Sequence, residues 1–133
     1  MVSKSAVVLD TNVFVAAGFN PDSASARIIE EVEAGRLTLF WNEDTRRESR
    51  AVVVQIPPLS WDRFAGLFDE EGQYERRIYS EDIDYVPDPD DRKFAALARA
   101  VDGALITNDE DLLGSREQAS VYIVSPQEFF ERR

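Results

Sequence analysis

Short apolar runs alternate with helical segments along almost the whole chain, and this alternation limits the folds open to it. Runs of β-favouring residues predict strands at 5–9 (SAVVL), 37–41 (LTLFW), 74–80 (YERRIYS), 104–107 (ALIT) and 120–124 (SVYIV). Amphipathic segments predict helices over 22–34, 43–55, 59–70 and 88–103, with a helical turn at 108–113 and a last helix after 125. Strands that alternate with helices favour a parallel sheet with helices on both faces, so we expect an α/β fold.

Several predicted helices begin with recognisable start signals. Asn42 and Asp88 are natural N-caps, and Pro89 occupies the first helical position after Asp88. Ser125 and Glu128 have the spacing of a capping box. In a parallel α/β sheet, strand ends and helix starts share one edge, and ligands bind at that edge.

Composition excludes several kinds of chemistry. The chain has 133 residues, 44% of them apolar, which suits one globular domain over 1–133. It has no Cys and no His, which excludes disulfides, thiol nucleophiles, structural zinc sites and His-based triads. An enzyme of this composition has to work with carboxylates, and a metal ion is their natural partner.

Charge and hydropathy bear on the partners. The net charge of −11 repels nucleic acid at long range and counts against such a substrate, although a divalent metal would offset the repulsion locally. No apolar run is long enough to span a bilayer, and the first residues lack the pattern of a signal peptide. We expect a cytoplasmic protein without a membrane partner.

Four acids that are far apart in sequence fall at the same predicted edge. Asp10 and Asp109 follow strands, Asp91 lies in the first turn of its helix, and Glu48 lies in the second turn of its helix. The helical phase points the two helix acids toward core-facing stripes, where an acid is costly unless it is paired or binds a metal. The same phase points Arg46 and Arg50 away from Glu48, and it points Lys93 away from Asp91. A divalent cation is therefore the expected partner of the cluster.

Each acid also has a simpler interpretation when it is taken alone. Asp10 can cap a helix, and Asp91 lies where the helix dipole favours an acid. Glu48 can be a solvated helix residue, and Asp109 can cap the turn before Asp111. These interpretations stay open at this point, but the meeting of four acids at one edge favours a shared site.

The motifs that carry these acids resemble the PIN-domain ribonuclease family, close to VapC-type toxins. "VVLDTNV" at 7–13 is similar to the family's opening motif, and "WNEDTRRES" at 41–49 is similar to its second, with Asn42 where the family commonly has Ser. The most specific part is "DPDDRKFAALARAVDGALITNDEDLL" at 88–113. The resemblance maps the family's acids onto Asp10, Glu48, Asp91 and Asp109, with Asn12, Thr107 and Asp111 as polar support.

The resemblance implies a fold and an activity. The fold is a three-layer α/β/α sandwich with a central parallel five-stranded sheet, and the activity is metal-dependent cleavage of single-stranded RNA to a 3′-hydroxyl and a 5′-phosphate. Mg²⁺ or Mn²⁺ would be held by the four acids, which suit a hard cation. We expect Asp10 and Asp91 to bridge the principal metal, Glu48 to position or deprotonate water, and Asp109 to complete the site or hold a second ion.

Two other functions remain open. The first is a catalytically silent PIN-like module that binds or regulates a protein, which the net charge of −11 favours. The second is a phosphohydrolase of the haloacid-dehalogenase type with Asp10 as nucleophile. That mechanism needs a second Asp two residues later, and the chain has Asn12 there.

Toxin status would imply a partner protein. A small antitoxin is expected to lay an apolar helix into a groove and to place a basic residue near the acids. Apolar faces around Trp61, Phe64 and Phe68 are candidates for that contact or for a homodimer, although core packing is the alternative for these aromatics. RNA binding is expected to be weak and salt-sensitive.

Overall fold

A computed structural model describes residues 5–78 and 83–132, and in these ranges four short strands form one parallel sheet. The spatial order is β2-β1-β3-β4. The strands are β1 (Ala6–Leu9), β2 (Thr38–Leu39), β3 (Ala104–Ile106) and β4 (Tyr122–Val124). The α/β class and the parallel sheet predicted from the alternating pattern are confirmed.

Helices connect and cover these strands. They are α1 (Thr11–Phe19), α2 (Ala24–Glu33), α3 (Glu43–Val53), α4 (Asp62–Ala65), α5 (Arg92–Val101), α6 (Glu110–Gly114) and α7 (Pro126–Glu131). Two short 3₁₀ helices lie at Glu70–Gly72 and Pro89–Asp91. The predicted caps are present: Asn42 accepts from Thr45 N at the start of α3, and Ser125 forms its capping box with Glu128.

The central strands bury both of their faces, which gives the predicted three layers. Val7 and Leu9 of β1 belong to a core cluster with residues of α1 and α2, whereas Val8 between them belongs to a second cluster with α5. Alternate residues of a strand point to opposite faces, so a fully buried β1 needs helices on both sides. The strand is therefore apolar throughout. Asp10, the first polar residue after the strand, lies at the edge of the sheet.

The prediction of a fifth strand at 74–80 is wrong for the residues that the structure describes. The chain approaches the sheet at one isolated parallel bridge, between Gln73 and Trp41, which lies two residues after β2, and residues 74–78 form no strand. Residues 79 and 80 lie outside the described ranges. Tyr74 and Ile78 pack against the second core cluster, but the side chains of 75–77 between them are exposed, so the segment lacks the continuous apolar face that would hold it to the sheet as a strand.

Gly72 permits the single close approach that does occur. A Cβ at this position would lie 1.7 Å from the carbonyl oxygen of Leu39, so only glycine fits there. The Gly72 carbonyl accepts from Trp41 N at 2.9 Å, and Tyr74 N donates to the Trp41 carbonyl at 2.8 Å.

The aromatic residues of the predicted helix at 59–70 pack into the core. The helix itself is shorter than predicted and is followed by a 3₁₀ turn. Phe64 is 1% exposed and meets Phe14 edge-on at 5.3 Å between ring centroids, while Phe68 contacts both Phe14 and Trp61. Core packing is therefore the role of Phe64, whereas Trp61 and Phe68 are half-buried.

The described helices were not found to be suited to crossing a membrane. Within residues 5–78 and 83–132, no helix combines the length and the apolar character that a membrane crossing requires.

Candidate metal centre

Three carboxylates converge where β1 and β3 end. Asp10 follows β1, Asp109 follows β3, and Asp91 ends the 3₁₀ turn before α5. One oxygen from each lies within 4.8 Å of the others. Asp10 is buried and the other two are half-buried. The edge that the sequence predicted for the acids is where the structure brings these three together.

Asp10 is fixed by hydrogen bonds to both of its oxygens. Oδ1 accepts from the backbone N–H of Thr11 at 2.8 Å, which caps α1. Oδ2 accepts from Thr107 Oγ1 at 2.7 Å and from Asn12 Nδ2 at 3.1 Å. The capping interpretation and the shared-site interpretation of Asp10 therefore both hold, because one oxygen caps the helix while the other faces the polar network.

Thr107 links the carboxylate of Asp10 to the backbone of Asp109. Its hydroxyl donates to Asp10 Oδ2 and accepts from the backbone N–H of Asp109 at 2.9 Å. Asn12 adds a second link, because its Oδ1 accepts from Asn108 N at 3.0 Å. Thr107 and Asn12 thus lie where the sequence predicted polar support, and they hold the end of β1 in register with the end of β3.

Asp109 and Asp111 divide their roles at the start of α6. Asp109 Oδ1 accepts from Asp111 N at 2.7 Å, so Asp109 is also the N-cap of that helix. The side chain of Asp111 is exposed and lies outside the carboxylate group found among the described residues. Asp111 contacts the carboxylate group through its backbone N–H, which donates to Asp109.

Glu48 lies outside the group of three and is paired with a base. Lys93 Nζ donates to Glu48 Oε1 at 2.9 Å, and both side chains are partly exposed, at 31% and 24%. The expectation that the four acids lack an opposing base is therefore wrong for Glu48. A helical phase gives the direction of the Cα–Cβ bond only, and the four-carbon stem of Lys93 spans from α5 to α3.

Burial dominates the electrostatics of Asp10. Desolvation raises the pKa of its carboxyl from an ordinary 3.8 to about 6. The hydrogen bonds from Thr107 and Thr11 act in the opposite direction, while the carboxylates of Asp109 and Glu48 raise the pKa further. Without a cation, this buried acid binds a proton far more readily than an exposed one.

The same surroundings raise the pKa of the Asp91 carboxyl more strongly. Desolvation, followed by repulsion from Asp10, Asp109, Asp88 and Glu48, raises its pKa from 3.8 to about 7. Repulsion of this kind is relieved by a positive ion held between the carboxylates. The donor set consists of carboxylate oxygens, which is the chemistry that Mg²⁺ and Mn²⁺ prefer. The residues present therefore fit such an ion.

Three further residues position the site and were not found from the sequence. They are Lys93, Asn108 and Ser49. The Ser49 and Thr11 hydroxyls lie 2.9 Å apart and join α3 to α1. Ser49 is one residue from Glu48, and Asn108 stands between Thr107 and Asp109, so adjacency to the acid motifs was the available signal.

Comparison with known proteins identifies the family. A PIN-domain family profile matches residues 6–111, a range that contains all four predicted acids. No curated protein and no solved structure gives a significant match. PIN domains are generally nucleases and typically use divalent metals. The match also leaves the dehalogenase-type phosphohydrolase without support, and it covers most of the chain, which therefore belongs to the PIN-domain family.

Proposed function

We propose that this protein is an endoribonuclease that hydrolyses single-stranded RNA with Mg²⁺ or Mn²⁺. The observation that carries the proposal is the meeting of Asp10, Asp91 and Asp109 within 4.8 Å, in a chain of a nuclease family. Phosphodiester hydrolysis at neutral pH needs an activated water and a counter-charge for the phosphate. A composition without His or Cys leaves carboxylates and a metal to provide both.

The three converging acids would hold the ion. When bound, a divalent metal lowers the pKa of its water, orients the phosphate and neutralises charge that develops on it. Asp10 is aligned for this role before any ligand binds, because Thr11, Asn12 and Thr107 fix its carboxylate. Asp91 has no side-chain capping bond, so its carboxylate is available to a cation.

Glu48 is placed to handle the proton of the attacking water. Its Oε1 is held by Lys93, and Oε2 has no hydrogen-bond partner among the described residues. Oε2 can therefore accept a hydrogen bond from water beside the carboxylate group and take its proton. The Lys93 ammonium orients Glu48. Within the described part of the chain, it is the one side-chain cation that pairs with this carboxylate. The family resemblance implies that cleavage gives a 3′-hydroxyl and a 5′-phosphate.

We further propose that the protein is the toxin of a toxin–antitoxin pair, on the basis of its family resemblance. The antitoxin would place a basic residue among the acids in the way that Lys93 already approaches Glu48. Within the aromatic cluster, Phe64 is buried in the core, whereas Trp61 and Phe68 are half-buried and keep a surface for such a partner. The net charge of −11 predicts weak RNA binding that depends on the metal and on salt.

A silent PIN-fold binding module is the second candidate. The net charge of −11 and the ion pair that already engages Glu48 favour it. This candidate predicts that the acids respond little to metal and that single-stranded RNA stays intact.

Thermal unfolding against Mn²⁺ concentration separates the two functions and needs no RNA substrate. If the acids repel one another around a metal site, Mn²⁺ raises the melting temperature of the wild type by mass action. Asp91→Asn should melt higher than wild type without metal and should respond less to it. Asp90→Asn is the matched control, since it makes the same change at an exposed neighbour.

The outcome decides which RNA experiments follow. Stabilisation of wild type and of Asp90→Asn, but not of Asp91→Asn, supports the metal site and calls for cleavage assays on single-stranded RNA with Mn²⁺. If Mn²⁺ shifts the melting temperature of none of the three proteins, the nuclease proposal is contradicted and the binding module is the better function. Equal stabilisation of all three would exclude Asp91 from the metal site.

A further inference from the structure

A groove beside the carboxylate group has no role in the chemistry described so far. We propose that it holds one unpaired nucleobase of the RNA, next to the phosphate that is cleaved; this inference rests on the proposed function. The groove has a volume of about 460 Å³, which lies in the range of about 300–1,000 Å³ for ligand pockets. We call it the amide groove; its polar lining consists of Asn12, Ser23, Ser25, Asn108, Ser125 and Gln127.

The amide groove shares a wall with the carboxylate site. Asn12 donates to Asp10 Oδ2 at 3.1 Å and accepts from Asn108 N at 3.0 Å. Asn108 is in turn the residue before Asp109. A phosphate placed at the acids therefore has this groove beside it, and single-stranded RNA can splay a base into such a neighbouring space.

The charge of the lining decides which part of a nucleotide fits. None of the residues that line the amide groove is charged. A phosphate in it would face the nearby carboxylates without a cation, which is unfavourable. A neutral base is the group that fits the amide groove.

The lining also offers hydrogen bonds of the kind that a base edge needs. Asn108 uses Nδ2 to donate to Ser25 Oγ at 3.1 Å, and Gln127 uses Nε2 to donate to Glu131 at 3.2 Å. Within the described residues, the amide oxygens of Asn108 and Gln127 have no partner and can accept from a base. The Ser25 hydroxyl can donate, and Val15 adds apolar surface for the flat face of the ring.

An abasic scan tests the proposal directly. The substrate is a single-stranded RNA with a mapped cleavage position, made as a series in which one nucleotide at a time lacks its base. Affinity is measured by fluorescence anisotropy in EDTA, where no metal is available, and cleavage is measured with Mn²⁺. We expect one abasic position next to the cleaved phosphate to lose about 5- to 20-fold in both readouts, because the backbone is unchanged and only the base is missing.

A double variant links that position to the groove. Ser25→Ala combined with Gln127→Ala removes two polar groups of the lining and leaves the carboxylate group intact. It should lower the affinity for the unmodified RNA by a similar factor and should bind the abasic RNA as the wild type does. Gln118→Ala combined with Ser120→Ala is the matched control, because it makes the same two changes at exposed residues of the loop before β4.

The possible outcomes separate this inference from the function on which it rests. If RNA is cleaved but no abasic position stands out, or the double variant still discriminates, the amide groove does not hold a base and the nuclease proposal stands. If the wild type neither binds nor cleaves any single-stranded RNA, the proposed function fails, and the groove assignment fails with it.

Discussion

The two walls of the carboxylate site are built in different ways. On the sheet wall, Asp10 accepts hydrogen bonds from a backbone N–H, an Asn amide and the Thr107 hydroxyl. On the helix wall, among the residues described, Glu48 is held by one ion pair with Lys93 on a neighbouring helix. Short side chains on strand ends lose little freedom when they are fixed, whereas two long side chains lose much more. The sheet wall therefore sets the geometry, and the helix wall adjusts the charge.

Asp10→Asn changes the central residue of the sheet wall and should have the largest effect on cleavage. Asn keeps a side-chain oxygen to cap α1, so the fold is retained. The lost negative charge should lower Mn²⁺-dependent cleavage by at least about 100-fold, more than the roughly 10- to 100-fold that changes to supporting residues cost. The measurement is kcat/KM on a cleaved RNA, with the exposed Asp22→Asn as control. A loss below about tenfold would show that Asp10 is mainly a helix cap.

Thr107→Val tests whether metal binding at the sheet wall depends on the hydrogen bonds of Thr107. The variant keeps the shape of the buried side chain but removes the donor to Asp10 and the acceptor for Asp109 N. We expect Mn²⁺ affinity, measured by calorimetry, to fall by roughly 10- to 100-fold. Thr107→Ser restores the hydroxyl and should restore most of the affinity. Equal affinities for the Val and Ser variants would mean that the hydroxyl does not orient the site.

Measurements at different pH values test whether protons or a metal ion relieve the repulsion between the carboxylates. The pKa values of Asp10 and Asp91 are raised to about 6 and about 7, so the metal-free native state binds more protons than the unfolded state above pH 3.8. Without metal, the free energy of unfolding should therefore fall as pH rises from about 4 to about 7. Mn²⁺ affinity should change in the opposite direction, by about tenfold per pH unit for each of the two carboxyls that must lose its proton.

Urea unfolding in EDTA between about pH 4.5 and 8 measures the first trend. Asp91→Asn should flatten it, and Asp90→Asn should not. The ion pair of Glu128 with Arg116 has the opposite effect near the lower end of this range. Hydrogen bonds from Arg116 lower the pKa of Glu128 from an ordinary 4.5 to about 2, so the unfolded state binds a proton there that the native state does not. The trend from Asp10 and Asp91 is therefore measured above about pH 5.5. A wild-type slope that is zero or rises with pH would contradict the proton-binding interpretation of the site.

Lys93→Met should have the smallest effect and the opposite sign. Removal of the ammonium frees the negative charge of Glu48 beside the other carboxylates, so Mn²⁺ affinity should rise by about 2- to 5-fold at low salt. Lys93→Arg keeps the positive charge and should leave the affinity close to that of wild type. If Lys93→Met weakened metal binding instead, the helix wall would be a fixed part of the site rather than an adjustable one.

The parts of the molecule that the sequence predicted well are those fixed by backbone rules. Asp10 and Asp109 follow apolar strands, and the ends of parallel strands share an edge, so their proximity followed from the order of elements. The caps at Asn42 and Ser125 were readable for the same reason, since a cap is a contact between residues near in sequence.

Contacts made by long or isolated segments were not predictable in this way. The Lys93–Glu48 pair depends on side-chain reach between two helices, which a helical phase does not contain. The segment after Gln73 has strand-forming residues, but only Tyr74 and Ile78 pack against the core and the charged side chains between them are exposed, so it forms no fifth strand within the described residues. Phe68 is covered by Phe14, a residue far away in sequence.

The double duty of Asp10 affects how sequence drift in relatives should be interpreted. A descendant that had lost nuclease activity would still be selected to keep an acid at this position, because the acid caps α1, and Asp109 similarly caps α6. Asp91 has no side-chain capping bond and is destabilised by its neighbours, so a silent lineage would gain by replacing it. Retention of Asp91, more than retention of the opening motif, would therefore mark the lineages in which selection has kept the activity.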